Sequence, residues 1–203
     1  MKVALIGATG HVGSRVLAEL LSRGHEVTAI VRNIDKVPAR PGVTPKAGDV
    51  FDRDGLADLM RGHDVIISAV HFSDSDPELL IAAVRQSGVP RYVVVGGAGS
   101  LKTPSGAALV ETPGFPEAYL AEARKGGAFL ERLKAEPGLA WTFLSPSAVI
   151  APGERTGRFR LGQDDLLLDA DGNSRISTED YAVALVDEVE TPKHVRQRFT
   201  VGY

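Results

Sequence analysis

Four apolar residues, Val3-Ala-Leu-Ile6, lead directly into Gly7-Ala-Thr-Gly10-His-Val-Gly13, and no other feature of the sequence narrows the fold as much. Glycine at the first position allows a tight turn out of a buried strand. At the second it leaves bare backbone for a ligand to approach, and at the third it lets a helix pack closely on a sheet. The G-x-x-G-x-x-G pattern alone is weak, because glycines also serve ordinary turns. Its setting makes it informative. From about His11 to Ser22, Val12, Val16 and Leu20 recur on one helical face, Arg15, Glu19 and Arg23 point away, and Gly24 ends the run. Strand, glycine turn and amphipathic helix form the opening of a βαβ unit, whose helix start aims unpaired N–H groups at a pyrophosphate. That reading is dinucleotide binding; the competing one is a plain structural turn.

The alternation continues. Strands are expected at Val27 to Val31, near Thr44 to Ala47, at Val65 to Ser68, Arg91 to Val95, Trp141 to Leu144 and Arg198 to Val201. Helices are expected at Asp54 to Arg61, at Pro77 to Ser87 with proline in the first turn, and at Glu117 to Ala135 before a Glu-Pro-Gly stop. A last helix runs from the capping-box sequence Ser177-Thr-Glu-Asp180 to about Glu190. The pattern predicts an α/β Rossmann fold, doubly wound, with a mostly parallel sheet, helices on both faces and right-handed crossovers. With 203 residues and no linker or repeat, a single domain over residues 1–203 is expected. It would carry a small C-terminal annex, with substrate-side loops at about residues 96–118 and 145–180.

Bulk composition excludes several function classes. A net charge of −3 offers no basic field for nucleic acid or an acidic membrane surface. Zero cysteines remove disulfides, thiolate ligands and a cysteine nucleophile. The five histidines are scattered, without ligand spacing, so no metal is expected. The apolar run after Lys2 is too short for an export signal, and no stretch approaches the roughly 20 apolar residues of a membrane span. A cytoplasmic protein acting on a small molecule is the expectation, as monomer or homodimer, which composition does not distinguish.

The end of the second strand bears on which nicotinamide is used. Sites for NAD(H) usually place a carboxylate there for the ribose 2′-hydroxyl, whereas an arginine suits the 2′-phosphate of NADP(H). Here Ala29-Ile-Val31 is followed by Arg32 and Asn33, with no acidic residue before Asp35. Arg32 therefore favours NADP(H), with NAD(H) still possible; a solvated surface arginine is the alternative.

GATGHVG at the start, GDVFD from Gly48 to Asp52 and VVVGGAGS from Val93 to Ser100 together resemble an atypical short-chain dehydrogenase/reductase. More narrowly, SPSAVIAPGERTG from Ser145 to Gly157 and ISTEDYAVALVDEVE from Ile176 to Glu190 resemble the NADH-flavin reductase family of NAD(P)H-binding proteins. That family is related to the biliverdin/flavin reductase branch and to nitrogen-metabolite-repressor-like proteins. The resemblance covers essentially the whole chain. It implies that Thr9, Gly10, His11 and Val12 wrap the pyrophosphate and that Asp49, with Val50 next to it, lies beside the adenine. Asp49 also fits an Asx turn. Ser68, Ala69 and Val70 would leave room for the riboses, or simply pack the core. Pro146, Ser147 and Ala148 would flank the nicotinamide, or form a plain turn.

Hydride transfer needs the nicotinamide held against its acceptor, with the protein supplying orientation and electrostatics. Standard short-chain dehydrogenases add a serine and a Tyr-x-x-x-Lys pair on one helix. Here Tyr119 is followed four residues on by Ala123, and Lys125 falls on a different helical face. Tyr119 then becomes a pocket wall or half-buried packing. A flavin (FMN, FAD or riboflavin) suits such a site, since its reduction needs stacking rather than an activated tyrosine. Ser100 is the candidate to hydrogen-bond substrate or nicotinamide. His71, after the fourth strand, is a candidate substrate contact or proton donor; both also read as loop residues. In the loop from Pro152 to Arg160, Arg155 and Arg158 could hold an anionic substrate group, or form salt bridges to Asp164, Asp165 or Asp169.

The function that fits best is an NAD(P)H-dependent oxidoreductase, NADPH-preferring, that reduces a flavin or a similar conjugated acceptor such as a quinone or tetrapyrrole. The alternatives are a non-catalytic redox sensor acting through a protein partner, and a nucleotide-sugar epimerase or dehydratase.

Overall fold

The computed structural model describes residues 1–203. Along the chain follow β1 (Lys2–Ile6), α1 (Gly13–Ser22), β2 (Glu26–Val31), β3 (Val43–Ala47), α2 (Arg53–Met60), β4 (Val65–Ser68), α3 (Pro77–Ser87) and β5 (Arg91–Val95). After them come α4 (Glu117–Lys134), β6 (Ala140–Ser145), β7 (Val149–Ala151), β8 (Arg160–Gly162), β9 (Arg175–Ser177), α5 (Thr178–Glu190) and β10 (Gln197–Gly202).

Eight strands form one sheet in the order β3-β2-β1-β4-β5-β6-β10-β8, parallel throughout except for β8, which runs antiparallel to β10. Its first six positions are the Rossmann order, which reverses direction between β1 and β4 and opens a crevice at their carboxyl ends. The central strands are short apolar runs because both their faces are covered. Val3 and Leu5 pack with Val16 and Leu20 of α1 and with Tyr181 and Leu185 of α5. On the opposite face, Ala4 and Ile6 pack with Leu56 of α2, Leu80 of α3 and Phe129 of α4. β3 tolerates Pro45 because it is an edge strand with little burial. The α/β Rossmann architecture expected from the sequence is the one observed.

Local signals set most helix ends. Asp52 caps α2, Asp76 caps α3 beside Pro77, and Gly88 ends α3 at φ 76°. Ser177 caps α5 by accepting from the Asp180 amide at 3.0 Å. α1 has no capping side chain. It also begins at Gly13 rather than near His11, because the glycine turn continues through Val12.

Two expectations fail on packing. Glu19 does not point into solvent but is buried between α1 and its neighbours. The stretch expected as a substrate-side loop at about residues 145–180 contains β7, β8 and β9, with β7 and β9 paired in a separate two-stranded parallel sheet. Strands of three residues carry no readable periodicity; their partners define them. No helix is long and apolar enough to cross a membrane.

Candidate functional site

The glycine turn lies at the crevice, and each glycine answers a different demand. Gly7 adopts φ 82°, and a Cβ there would lie 2.4 Å from the Ala69 carbonyl oxygen. A Cβ on Gly13 would lie 2.1 Å from the Gly7 carbonyl oxygen, so α1 can start this close to β1 only with glycine. Gly10 differs: a Cβ there would meet nothing nearer than 3.4 Å. Packing does not require glycine at position 10, and its bare face is turned outward. Around it, the amides of Thr9, His11 and Val12 have no acceptor within the chain. Exposed, unpaired N–H groups at an uncapped helix start fit a pyrophosphate.

Next to this turn stand the ends of β2 and β3. Arg32 is exposed directly after β2, and its guanidinium makes no hydrogen bond or ion pair in the chain. Asn33 is occupied locally, accepting from the Asp35 amide at 2.9 Å. Asp49 forms the Asx turn, its carboxylate accepting from the Phe51 amide at 3.0 Å. Val50 is half-buried against the core under α2 and α3.

At the end of β4 the three small residues separate. Ser68 is not a crevice residue: its hydroxyl lies in the core, 2.8 Å from the Tyr92 hydroxyl, because strand alternation turns it toward the α3 and α4 layer. Ala69 and Val70 instead back the glycine turn, with Val70 Cγ1 3.1 Å from where a Gly7 Cβ would stand. After β6, Ser147 is likewise buried, donating to the Val201 carbonyl at 2.9 Å, and Pro146 is buried beside it. Of that trio only Ala148 is exposed; its amide donates to Ser174 Oγ at 3.1 Å.

His71 is exposed at the crevice rim, with Nδ1 3.5 Å from Glu122 Oε1 of α4. Glu122 holds this rim, accepting the amides of Phe72 at 2.7 Å and Ser73 at 2.8 Å. Burial alone would raise its pKa, but hydrogen bonds from Ser73 and Phe72 and the neighbouring His71 outweigh burial and hold it below the usual carboxylate value. Sequence spacing could not find Glu122, because its partners lie about 50 residues away.

Tyr119, in the first turn of α4, is 66% exposed and therefore not half-buried packing. One turn on, Ala123 packs against Gly99, where even a methyl group at 99 would come within 2.8 Å of it. Lys125 lies elsewhere, its Nζ 3.5 Å from the Ser73 carbonyl. Ser100 sits between α4 and β10 and accepts from Arg198 Nη1 at 3.3 Å. Arg198 was not singled out from sequence, where it reads as part of a final strand.

The arginine loop is fastened down rather than free over the crevice. Arg155 is not a free anion-binding group: it donates through Nε and one terminal nitrogen to Glu19, both at 2.8 Å. Thr156 and Gly157 donate to the buried carboxylate of Asp180, and Gly153 donates to Glu179. Neither Asp164, Asp165 nor Asp169 pairs with Arg155 or Arg158; Asp164 pairs with Arg198 and Asp169 with Arg175. Arg158 is exposed and unpaired. No three His, Asp or Glu side chains converge anywhere as a metal cluster would.

Comparison with known proteins agrees with this geometry. Residues 7–192 match the NAD(P)H-binding family. The uncharacterized protein YwnB of Bacillus subtilis (strain 168) is 40% identical, over 99% of this chain and 98% of its own. A candidate epimerase from Bacteroides thetaiotaomicron is 44% identical, with a TM-score of 0.95 over 100% of this chain and 96% of that one. A candidate NADH-flavin reductase from Streptococcus pneumoniae TIGR4 is 34% identical, with a TM-score of 0.85 over 100% and 99% of the two chains.

Proposed function

The chain belongs to the NAD(P)H-binding family, and from that premise we propose that it is a reductase which draws hydride from NADPH and delivers it to a flavin or a flavin-sized conjugated acceptor, such as a quinone or tetrapyrrole. One observation carries the reading. The crevice combines free phosphate-binding amides and an unpaired Arg32 with a neighbouring helix on which Ala123, not a lysine, follows Tyr119 by one turn. When bound, the reduced nicotinamide supplies two electrons and a proton as hydride.

The chain's own residues then have separable tasks. Thr9, His11 and Val12 hold the linked phosphates on their amides, and Arg32 takes the 2′-phosphate through its fork of donors. Ala69 and Val70 support the turn from below. Tyr119 and Lys125 lie too differently to share a proton, so an alcohol or ketone substrate would lack its acid. A flavin or quinone takes its second proton from water, which reaches this exposed rim. The description of the S. pneumoniae neighbour supports the same acceptor class. With that cofactor the working compartment is the cytoplasm.

The test mixes purified protein with NADPH or NADH and with FMN, riboflavin or menadione, following nicotinamide absorbance with and without air. Turnover well above the protein-free rate is expected with at least one acceptor. An epimerase, the description carried by the B. thetaiotaomicron neighbour, returns its hydride and would consume no nicotinamide. Tight NADPH binding with no turnover on any acceptor would overturn the reductase reading and favour a sensor.

A further inference from the structure

Arg198 lies on β10 with 5% of its side chain exposed. Removing a guanidinium from water is costly unless its charge and donors are satisfied. Here Asp164 accepts from Nε at 2.8 Å and from Nη2 at 2.5 Å. The remaining arm, Nη1, reaches Ser100 Oγ at 3.3 Å. Asp164 is itself held to the turn after β5, since the Lys102 amide donates to its carbonyl and the Leu166 amide donates to the Lys102 carbonyl, both at 2.8 Å. One guanidinium thus joins β10, the turn carrying Ser100 and the strap that follows β8.

We propose that Arg198 is a positioning residue which aims the Ser100 hydroxyl, proton outward, at a carbonyl oxygen on the ring of the acceptor. The proposal rests on the reductase reading above. A guanidinium has donors and no acceptor, so the proton of Ser100 cannot point toward it. No group in the chain accepts that proton, whereas the oxygen is already engaged from below. The hydroxyl is therefore left as a donor of fixed origin. Flavin and quinone rings carry carbonyl oxygens that gain negative charge as hydride arrives, and a preset donor stabilises that charge. The acceptor takes hydride from the dihydronicotinamide and a proton from water; Ser100 keeps its own.

The surrounding sheet is polar in a way a purely structural core does not require. Thr200, two residues beyond Arg198 on the same strand face, stands in register with Ser145 of β6. Both are fully buried, and neither hydroxyl has a partner. Gly127 of α4 closes over the other side of Ser100, whose Cβ would be 3.7 Å from an added methyl group there. The Ser100 turn is thus held between a glycine of α4 and a charged strand.

A double-mutant cycle tests the coupling, using Ser100→Ala, Arg198→Met and both together, with Arg198→Lys as the conservative variant. Two readouts are taken: kcat for NADPH oxidation with riboflavin, and riboflavin affinity for the NADP⁺-loaded protein by flavin fluorescence. Each single change is expected to lower kcat on the order of 10-fold, less than the 100- to 1,000-fold of a complete oxyanion donor. The pair should fall no further than Ser100→Ala alone, Arg198→Lys should recover part of the loss, and riboflavin affinity should follow the same non-additive pattern. Ser100→Ala removes one oxygen and keeps the scaffold, so it decides the matter even if Arg198→Met fails to fold. Wild-type kcat and riboflavin affinity in Ser100→Ala overturn the proposal, as do fully additive losses in the cycle. A wild-type protein that passes hydride from NADPH to none of the acceptors overturns the reductase reading and the proposal with it; the other two outcomes overturn the proposal alone and leave the reductase reading standing.

Discussion

Single positions in the glycine turn carry more of this protein's chemistry than their size suggests. Gly13 has no space for a Cβ, with the Gly7 carbonyl oxygen 2.1 Å from where it would stand. Gly13→Ala must push α1 away from β1, so chemical denaturation should show a loss of about 1–3 kcal/mol, and NADPH binding should vanish with the displaced amides. Arg32 can be changed without touching the fold, because it is exposed and unpaired. Arg32→Ala should weaken NADPH about tenfold or more, the value of one or two charge-assisted hydrogen bonds, and leave NADH affinity within about twofold. Calorimetry with both nicotinamides decides this, and equal losses would remove the cofactor preference. These positions were legible in the sequence because a glycine turn and the residue after a strand are defined by immediate neighbours. Ser68 and Ser147 were not: one ends β4 and the other follows β6, and only the folded sheet turns their hydroxyls inward, to Tyr92 and to Val201.

Between elements, α1, α5 and the loop after β7 are joined by ions rather than by apolar contact alone. Glu19 of α1 accepts from Arg23 one turn on and from Arg155 in the loop, while Arg23 also reaches Asp187 and Glu190 of α5. Hydrogen bonding from Arg155, joined by Arg23 and opposed by burial, holds the Glu19 carboxyl below its ordinary pKa. A carboxyl whose pKa is lower folded than unfolded contributes its full stability above the unfolded value and loses it as pH falls through the folded one. Glu19→Gln should therefore cost about 1–3 kcal/mol near neutral pH, with the difference from wild type narrowing below the ordinary carboxylate range. Urea denaturation across that range measures it, and a pH-independent difference would mean that packing, not charge, holds the loop. The helices themselves were readable from periodicity and caps. Their ionic partners were not, since Glu19 and Arg155 are 136 residues apart.

At the scale of the molecule, one sheet runs from β3 to β8 and carries the crevice at its carboxyl edge. A ligand seated there contacts loops from strands that are distant in sequence, so its binding energy should stabilise the sheet as a whole. NADPH at about 100 times its dissociation constant should add about 2.7 kcal/mol and raise the melting temperature by about 5–10 °C for a chain of this length. Trp141, buried in β6, reports the transition by fluorescence. Its melt should coincide with loss of helical circular dichroism. A nicotinamide that leaves the melt unmoved would remove the cofactor site from this protein.

The sequence by itself determined the alternation of strands and helices, the glycine turn and the capping serine of α5. Each of these depends on residues within one or two turns of one another, where backbone geometry and periodicity act directly. Only the tertiary structure decided which side chains meet the crevice. It turned Ser68 and Ser147 into the core, bound Arg155 to Glu19, set Glu122 beneath the His71 rim and brought Arg198 to Ser100. Those pairings follow from strand order and pleat, which bring distant segments together and which no local spacing encodes.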